Sequence, residues 1–184
     1  LNYKNKVVKI EGLNKDGKEL LKDNKLTGNS LEIAIENITE LVIEKGYITK
    51  IKKDYYVIND LVNGIPAANK YEIACGYDDG DFISHHSVFE FYGFNNQVYN
   101  TVDVTTNTFK RDFIFDYNLY KYHKSDNFIQ VNNISGIRIS TIERAIVDCI
   151  KDSANFEYYE LLECINNINI IDETMTKESL KECG

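Results

Sequence analysis

Hydrophobic positions in the first third of the chain follow a helical period and then a strand-like pattern. In the stretch NSLEIAIENITELVIEKG, apolar residues recur every three or four positions, at Leu31, Ile35, Ile38 and Val42. This spacing places them on one face of a helix. Asn29 or Ser30 can cap its first turn, and Gly46 is placed to end it. The pattern therefore predicts an amphipathic helix over residues 30–45.

The next stretch, YITKIKKDYYVIND, predicts a β-hairpin. Two runs rich in β-branched and aromatic residues flank Lys52-Lys53-Asp54, and aspartate tolerates the backbone conformation of a tight turn. A helix followed by a hairpin with a basic tip is the order of elements in a winged helix-turn-helix, which we predict over residues 1–60. Such a domain would offer its helix to the major groove and its hairpin to phosphates. The candidate DNA-binding residues are Lys45, Thr49, Lys50, Lys52 and Lys53.

The segments that precede this helix are lysine-rich and short. Residues 3–10 and 17–24 are expected to be small helices, and Gly12, Gly17 and Gly28 are expected to mark turns or helix ends. The first domain should therefore consist of small helices followed by the hairpin.

Four glutamates form an acidic ridge along the predicted helix, because they follow one another at i, i+4 spacing: Glu32, Glu36, Glu40 and Glu44. A ridge that faced DNA would oppose binding. Either the ridge points away from the duplex, so that the helix start and the hairpin make the contacts, or this domain binds a protein instead. A basic hairpin tip is also compatible with a plain solvated turn.

The segment ISHHSVFEFYGF, residues 83–94, combines two histidines with aromatic residues. Ser84 can cap a helix and Gly93 can end it, so the segment predicts two buried helical turns. His85 and His86 point about 100° apart on a helix, whereas a metal-binding pair is expected at i, i+4 spacing. We therefore expect the two histidines to pack and to form hydrogen bonds at the helix start, and we expect no metal site.

Residues 98–139 alternate in the manner of strands. The runs VYNTVDVTT, FIFDYNLY, FIQV and IRI are separated by turn-forming residues and predict a mostly antiparallel sheet. The following ISTIERAIVDCIKD predicts an amphipathic helix that begins with a capping box of Ser140 and Glu143. In that helix Arg144 would form a surface ion pair with Asp148. FEYYELLECINNI predicts one more helix.

The charge of the chain is unevenly distributed. The 184 residues carry a net charge of −8, which argues against a general nucleic-acid-binding protein. Residues 1–60 hold 11 lysines against 10 acidic residues, whereas the remainder holds 10 basic residues against 19 acidic ones. The first part could approach a polyanion, and the second would be repelled by one or would prefer a basic partner.

Hydropathy, cysteine spacing and the absence of common catalytic motifs narrow down the class of protein. No stretch predicts a membrane span or a secretory signal, so we expect a soluble, cytoplasmic protein. The four cysteines are far apart and form no CxxC pair, which favours reduced thiols over structural zinc. A nucleophile made of Cys75 or Cys149 and a distant histidine has no local signature. The common nucleotide-binding and hydrolase motifs are missing from the sequence, so we expect neither an enzyme nor a cofactor.

Three segments together resemble one known family. ISHHSVFEFYGF is similar to a family segment in which a serine and small residues precede a helix ending in an aromatic residue and glycine. ISTIERAIVDCI resembles the family's T-P-E-[KR]-A-[LI]-x-D helix, and GYITKIKKDYYVI resembles its hairpin. The segments occur in the family's order over roughly residues 30–150. The family is that of the AbiEi-type antitoxins, also described as predicted transcriptional regulators.

This resemblance implies an α+β protein with a winged helix-turn-helix over residues 1–60. An α/β domain with a mostly antiparallel sheet and C-terminal helices would follow over residues 61–184, truncated relative to longer family members. The implied function is non-catalytic, as a repressor that binds operator DNA of its own operon and as an antitoxin against a nucleotidyltransferase-like toxin. A protein-interaction module whose winged helix no longer binds DNA is the alternative. The sequence leaves the oligomeric state open.

Overall fold

A computed structural model describes residues 6–21, 28–152 and 158–183, which fold as two compact units, residues 1–77 and 78–184. The first unit contains, in chain order, β1 (Val7–Lys9), α1 (Ile10–Leu20), α2 (Asn29–Glu44), β2 (Ile48–Lys52), β3 (Tyr55–Ile58) and α3 (Lys70–Cys75). Its three strands form an antiparallel sheet in the order β1-β3-β2.

The helix and the hairpin predicted over residues 30–58 are confirmed. Gly28 precedes α2 at a φ of 56° and Gly46 follows it at 73°, both in the left-handed region that suits glycine. The hairpin turns at Lys53 and Asp54, and Asp54 adopts a φ of 60°, which aspartate tolerates better than most residues. These local signals therefore fix the bounds of both elements.

The prediction for the segments before α2 is wrong for residues 7–9 and for Gly12 and Gly17, whereas residues 17–20 are helical and Gly28 lies in a turn, as predicted. Val7 to Lys9 form a strand, and one helix, α1, runs through both Gly12 and Gly17. A Cβ atom at Gly17 would lie 3.2 Å from Cγ1 of Ile35, so this glycine serves the close packing of α1 on α2. Residues 3–5 and 22–24 of the predicted segments lie outside the described residues.

Buried aromatic and branched residues of β3 form the centre of the first unit. Tyr55 and Val57 are fully buried, and the Tyr55 hydroxyl donates a 2.6 Å hydrogen bond to the carbonyl of Ile73. The ring of Tyr55 also packs edge-on against Tyr77. These contacts fix α3 and the residues after it onto the sheet.

The second unit is built on a mixed sheet of six strands. Its elements are β4 (Phe82–Ile83), α4 (His86–Tyr92), β5 (Thr101–Thr106), β6 (Phe113–Phe115), β7 (Asn118–Lys124), β8 (Val131–Ile134), β9 (Ile137–Ser140), α5 (Ile142–Lys151), α6 (Tyr158–Asn166) and α7 (Glu173–Cys183). The strand order is β6-β7-β5-β4-β9-β8, in which β4–β9 and β5–β7 are parallel and the other neighbours are antiparallel. The described residues thus form a mixed α+β protein with seven helices and two mostly antiparallel sheets.

Three predicted caps are wrong by one or two residues. Neither Asn29 nor Ser30 caps α2, because the helix begins at Asn29 and Gly28 stands at the cap position. The helix α4 begins at His86 rather than after Ser84, although Gly93 ends it in a left-handed conformation as predicted. Ser140 belongs to β9, and Thr141 caps α5 instead, with its hydroxyl accepting a hydrogen bond from the backbone N–H of Arg144. At α5 the reason is that the preceding strand β9 extends through Ser140.

The predicted ion pair of α5 exists but is not on the surface. Arg144 and Asp148 are both buried, with Nε and Oδ2 3.2 Å apart. The guanidinium also donates hydrogen bonds to the carbonyls of Asn127 and Ile129, so it holds the loop before β8. Among the described residues, no helix is both long and apolar enough to cross a membrane.

Candidate functional site

The residues predicted to contact DNA lie at the hairpin end of the first unit. Lys45 follows α2, Lys50 is on β2 and Lys53 is in the turn, and all three side chains are exposed. Thr49 is half-buried, and its hydroxyl is hydrogen-bonded to Asn59. The structure therefore offers three solvated cations at this end, while the Thr49 hydroxyl is already used.

The fourth predicted lysine contacts aromatic rings. Nζ of Lys52 lies 3.9 Å from the centroid of the Tyr77 ring and 5.9 Å from that of Tyr55. Cation–π contacts of this kind stabilise a half-buried lysine by roughly 0.5–2 kcal/mol. Lys52 therefore contributes to the packing of the hairpin as well as to its charge.

The helix α2 presents two contrasting surfaces. The acidic ridge is solvent-exposed along its length, at Glu32, Glu36, Glu40 and Glu44. Another face of the same helix lines a half-open apolar cavity of about 580 Å³ between α1, α2 and the sheet. Ile35, Ile38 and Val42 are among the residues that line it. A partner seated in this cavity would contact mainly apolar side chains, and the glutamates of the ridge are not among the residues that line it.

The second unit gathers polar residues around His123 of β7. Nε2 of His123 lies 2.8 Å from Oδ1 of Asp103, and Nδ1 lies 3.2 Å from Oδ2 of Asp152. The ring of His85 stacks on that of His123, with centroids 3.9 Å apart and planes inclined by 27°. We name these four residues, together with Ser84, the histidine cluster.

Hydrogen bonds fix the cluster in place. Nδ1 of His85 is hydrogen-bonded to Oγ of Ser84 at 2.8 Å, and the hydroxyl of Thr105 donates to the same Oγ at 2.7 Å. The backbone N–H of Asp103 donates to Oγ of Ser87 at 2.8 Å. The segment ISHHS is thus hydrogen-bonded to strand β5 through its two serines, and these polar groups are buried.

His85 departs from the usual backbone of its residue type. Its φ is 50° and its ψ is −136°, a sparsely populated combination for a non-glycine residue. Burial is the main cause that lowers its pKa well below the ordinary value, and the positive charges of His123, Lys121 and Arg144 add to this effect. His85 is therefore a neutral imidazole at neutral pH, held in a strained position beside His123.

His86 belongs to a different environment from its neighbour. Its ring packs edge-on against Tyr99 and Phe89, and Nε2 lies 3.7 Å from Sγ of Cys164. Burial is the largest of the effects that raise the pKa of the Cys164 thiol, to about 11. This thiol is therefore protonated at neutral pH and is a poor nucleophile.

The thiol of Cys149, one of the two cysteines considered as nucleophiles in the sequence analysis, is also a poor nucleophile. Burial raises the pKa of the Cys149 thiol, and nearby carboxylates, Asp103 first among them, add to the effect. A buried thiol with a raised pKa is inert. The geometry therefore gives no support to a nucleophile at Cys149.

The sequence did not point to three members of the histidine cluster. Asp103 lies on β5, His123 on β7 and Asp152 just after α5, and they are separated from one another by 20 or more residues. No local motif surrounds any of the three residues. The parallel pairing of β5 with β7 brings Asp103 and His123 together, and Asp152 contacts His123 from the end of α5. His85 and His86, the pair that did stand out, belong to separate clusters.

The structure is that of a mixed α+β protein. Its first unit carries exposed lysines at the hairpin end, and its second unit carries the buried histidine cluster. The family model of the anti-sigma factor RsgI-like central domain matches residues 1–71. No curated protein matches the chain. The match therefore covers most of the first unit and ends before the second unit begins.

Proposed function

We propose that this chain is a non-catalytic DNA-binding regulator and antitoxin of an AbiEi-like operon. It would bind operator DNA of its own operon through the first unit and counteract a nucleotidyltransferase-like toxin through the second. The observation that carries the DNA-binding half is the β1-α1-α2-β2-β3 order with a β1-β3-β2 sheet. Two helices followed by a hairpin that pairs with the first strand are the parts of a winged helix.

The distribution of charge supports different binding partners for the two units. Residues 1–77 hold 12 lysines against 11 acidic residues, whereas residues 78–184 hold 9 basic residues against 18 acidic ones. Phosphate contacts supply most of the affinity for DNA, and they require cations. The exposed lysines of the hairpin end fit this role, and the strongly acidic second unit fits a basic protein surface.

Binding of the full chain to the DNA upstream of its own gene tests the first half of the proposal. Fluorescence anisotropy over a series of salt concentrations should give a linear loss of log K with log salt. Changing Lys50→Gln or Lys53→Gln should lower that slope by about 1 each and leave specificity unchanged. The matched control is Lys181→Gln, which removes one exposed lysine from the second unit. A wild-type chain that fails to bind at low salt would contradict the proposal.

Co-expression with the neighbouring toxin tests the second half. The full chain should restore growth of cells that express the toxin, and a Lys50→Gln, Lys53→Gln double variant should restore it equally. This result is expected because the acidic unit is unchanged in that variant. If the double variant loses protection at equal protein level, neutralisation depends on the first unit, and the assignment of roles is wrong.

A second candidate function is a protein-interaction module, and the two surfaces of α2 favour it. The apolar cavity suits the apolar face of an amphipathic helix, and the exposed glutamates on another face of α2 favour a basic partner. The matching family model, named for an anti-sigma factor, is in keeping with a protein partner. This function would replace DNA binding and leave the role of the second unit unchanged.

A pair of designed peptides separates the two functions. One carries leucines on one helical face and lysines on the other, and its partner has glutamates in place of the lysines. The interaction module predicts that the full chain binds the first peptide more tightly and that Glu36→Gln with Glu40→Gln weakens this binding. Equal binding of both peptides would exclude charge recognition by the ridge.

A further inference from the structure

Three potential metal ligands meet inside the second unit. One ligand atom each from His85, His123 and Asp152 lies within 4.8 Å of the other two. They come from the start of α4, from β7 and from the residue that follows α5, so the fold and not a local motif brings them together. This combination of two imidazoles and one carboxylate suits zinc and its first-row neighbours.

The surroundings have the features of an outer ligand shell. In metal sites a ligating histidine usually forms a hydrogen bond with an oxygen through its second nitrogen, which fixes the ring. His123 has such a contact through Nε2 to the buried Asp103 carboxylate, and His85 has one through Nδ1 to the Ser84 hydroxyl. Thr105 in turn donates to Ser84 and holds the hydroxyl in place. These hydrogen bonds hold both rings close to the site before any ion binds.

One distance between two of the ligand atoms is already close to what an ion requires. Ligands that sit about 2.0–2.2 Å from a tetrahedral zinc lie roughly 3.3–3.5 Å from each other. Nδ1 of His123 and Oδ2 of Asp152 are already 3.2 Å apart. The ligand atoms of all three residues lie within 4.8 Å of one another, so the His85 ring must move closer to the other two ligands when an ion binds.

Charge gives a reason for a cation at this position. His123 lies between two carboxylates, and Asp103 is only 2% exposed. Since a carboxylate only accepts hydrogen bonds, the contact of Nδ1 with Asp152 is a hydrogen bond only when Nδ1 carries a proton. A divalent ion held by Nδ1 of His123 and Oδ2 of Asp152 would bring a positive charge beside the Asp152 carboxylate and close to that of Asp103.

We propose that His85, His123 and Asp152 bind one zinc ion, with Asp103 and Ser84 as outer partners and with a fourth position for water. The ion joins α4, β7 and the end of α5 within the second unit. This site differs from the metal pair that the sequence argued against, because His85 coordinates with His123 and not with its neighbour His86.

The test uses the full chain without a histidine tag, freed of metal by a chelator and titrated with zinc chloride in a calorimeter. One equivalent of zinc should bind and should raise the melting temperature of the chain, since a ligand of the folded state stabilises it. His123→Gln and Asp152→Asn should each weaken zinc binding by at least about tenfold. His86→Gln is the matched control and should bind zinc as the wild type does.

Several outcomes would overturn the proposal. They are a wild-type chain that binds no zinc, an Asp152→Asn variant that binds it unchanged, and a His86→Gln variant that loses it. Asp152 is 30% exposed, so this variant decides the question even if His123→Gln does not fold. Cobalt in place of zinc gives a second readout, because a thiolate-to-metal absorption band would point to Cys164 and His86 instead.

Discussion

Replacing Arg144 with alanine should destabilise the second unit more than any surface change. The guanidinium is 1% exposed and lies over the ring of Phe82, 5.4 Å from its centroid. It donates to Oδ2 of Asp148 at 3.2 Å, to the carbonyl of Asn127 at 3.0 Å and to that of Ile129 at 2.9 Å. The substitution therefore leaves one buried carboxylate and two carbonyls without this partner.

The size of the effect follows from these losses. Removing one partner of a buried ion pair costs about 3–5 kcal/mol, and each buried acceptor left unpaired costs roughly 1–3 kcal/mol, although such terms overlap. We expect Arg144→Ala to lower the free energy of unfolding by about 3–5 kcal/mol. In a domain of this size, that loss shifts the melting temperature by more than about 10 °C.

A double substitution separates the charge from the hydrogen bonds. Arg144→Met with Asp148→Leu replaces the ion pair by apolar groups of similar size, a change that is often neutral or stabilising. The two carbonyls still lack a donor, so the double variant should lie about 1–3 kcal/mol below the wild type and above Arg144→Ala. If both variants lose the same free energy of unfolding, the unpaired Asp148 carboxylate is not the main cause of the destabilisation in Arg144→Ala.

Differential scanning calorimetry of the full chain is the assay, because it can separate the transitions of the two units. The matched control is Lys177→Ala, which breaks the i, i+4 pair with Glu173 whose side chains are 70% and 85% exposed. That change should stay within about 0.5 kcal/mol. An Arg144→Ala variant that melts within about 3 °C of the control would refute the reasoning.

Two further predictions concern packing and pH. Gly76→Ala should destabilise the first unit by about 1–3 kcal/mol in urea unfolding, because the new Cβ would overlap Cγ2 of Val7. The control is Gly80→Ala, whose new Cβ would meet nothing closer than 3.7 Å and which should change stability by less than about 1 kcal/mol. Equal effects of the two substitutions would contradict this prediction. Burial raises the pKa of Asp81 above its ordinary value of 3.8, although hydrogen bonding to Lys110 and the charge of Lys110 oppose this effect. The protonated form of Asp81 therefore stabilises the folded chain. This stabilisation is fully present below pH 3.8 and is lost as the pH rises through the pKa of Asp81 in the folded chain. Urea unfolding at several pH values should therefore show the stability of the wild type relative to Asp81→Asn falling as the pH rises, and the opposite slope would mean that Lys110 outweighs burial.

Elements fixed by local chemistry were predictable from the sequence. The helix α2 and its hairpin follow from a helical period, from Gly46 and from an aspartate at the turn, and Gly93 ends α4 for the same reason. Each signal lies within a few residues of the element that it bounds. The structure therefore reproduces these bounds to within one or two residues.

Elements fixed by distant contacts were not predictable in this way. The strand β1 is three residues long and exists because it pairs with β3, about 50 residues further on. The glycine at position 17 resembles a helix breaker, yet it is needed where α1 meets Ile35. Arg144 has the i, i+4 partner of a surface pair, but its other partners, at 127 and 129, decide that it is buried. The histidine cluster depends in the same way on the pairing of β5 with β7.

The regions that support the two halves of the proposed function are largely separate in the chain. The anti-sigma factor RsgI-like match ends at residue 71, so it includes the hairpin segment on which part of the antitoxin resemblance rests. The other two segments of that resemblance, residues 83–94 and 139–150, lie beyond the match and inside the acidic unit. Failure of DNA binding would therefore remove the role of the first unit and leave the antitoxin role of the second intact. Conversely, a chain that binds its operator but does not protect against the toxin would be a regulator alone, and the acidic surface would need another basic partner.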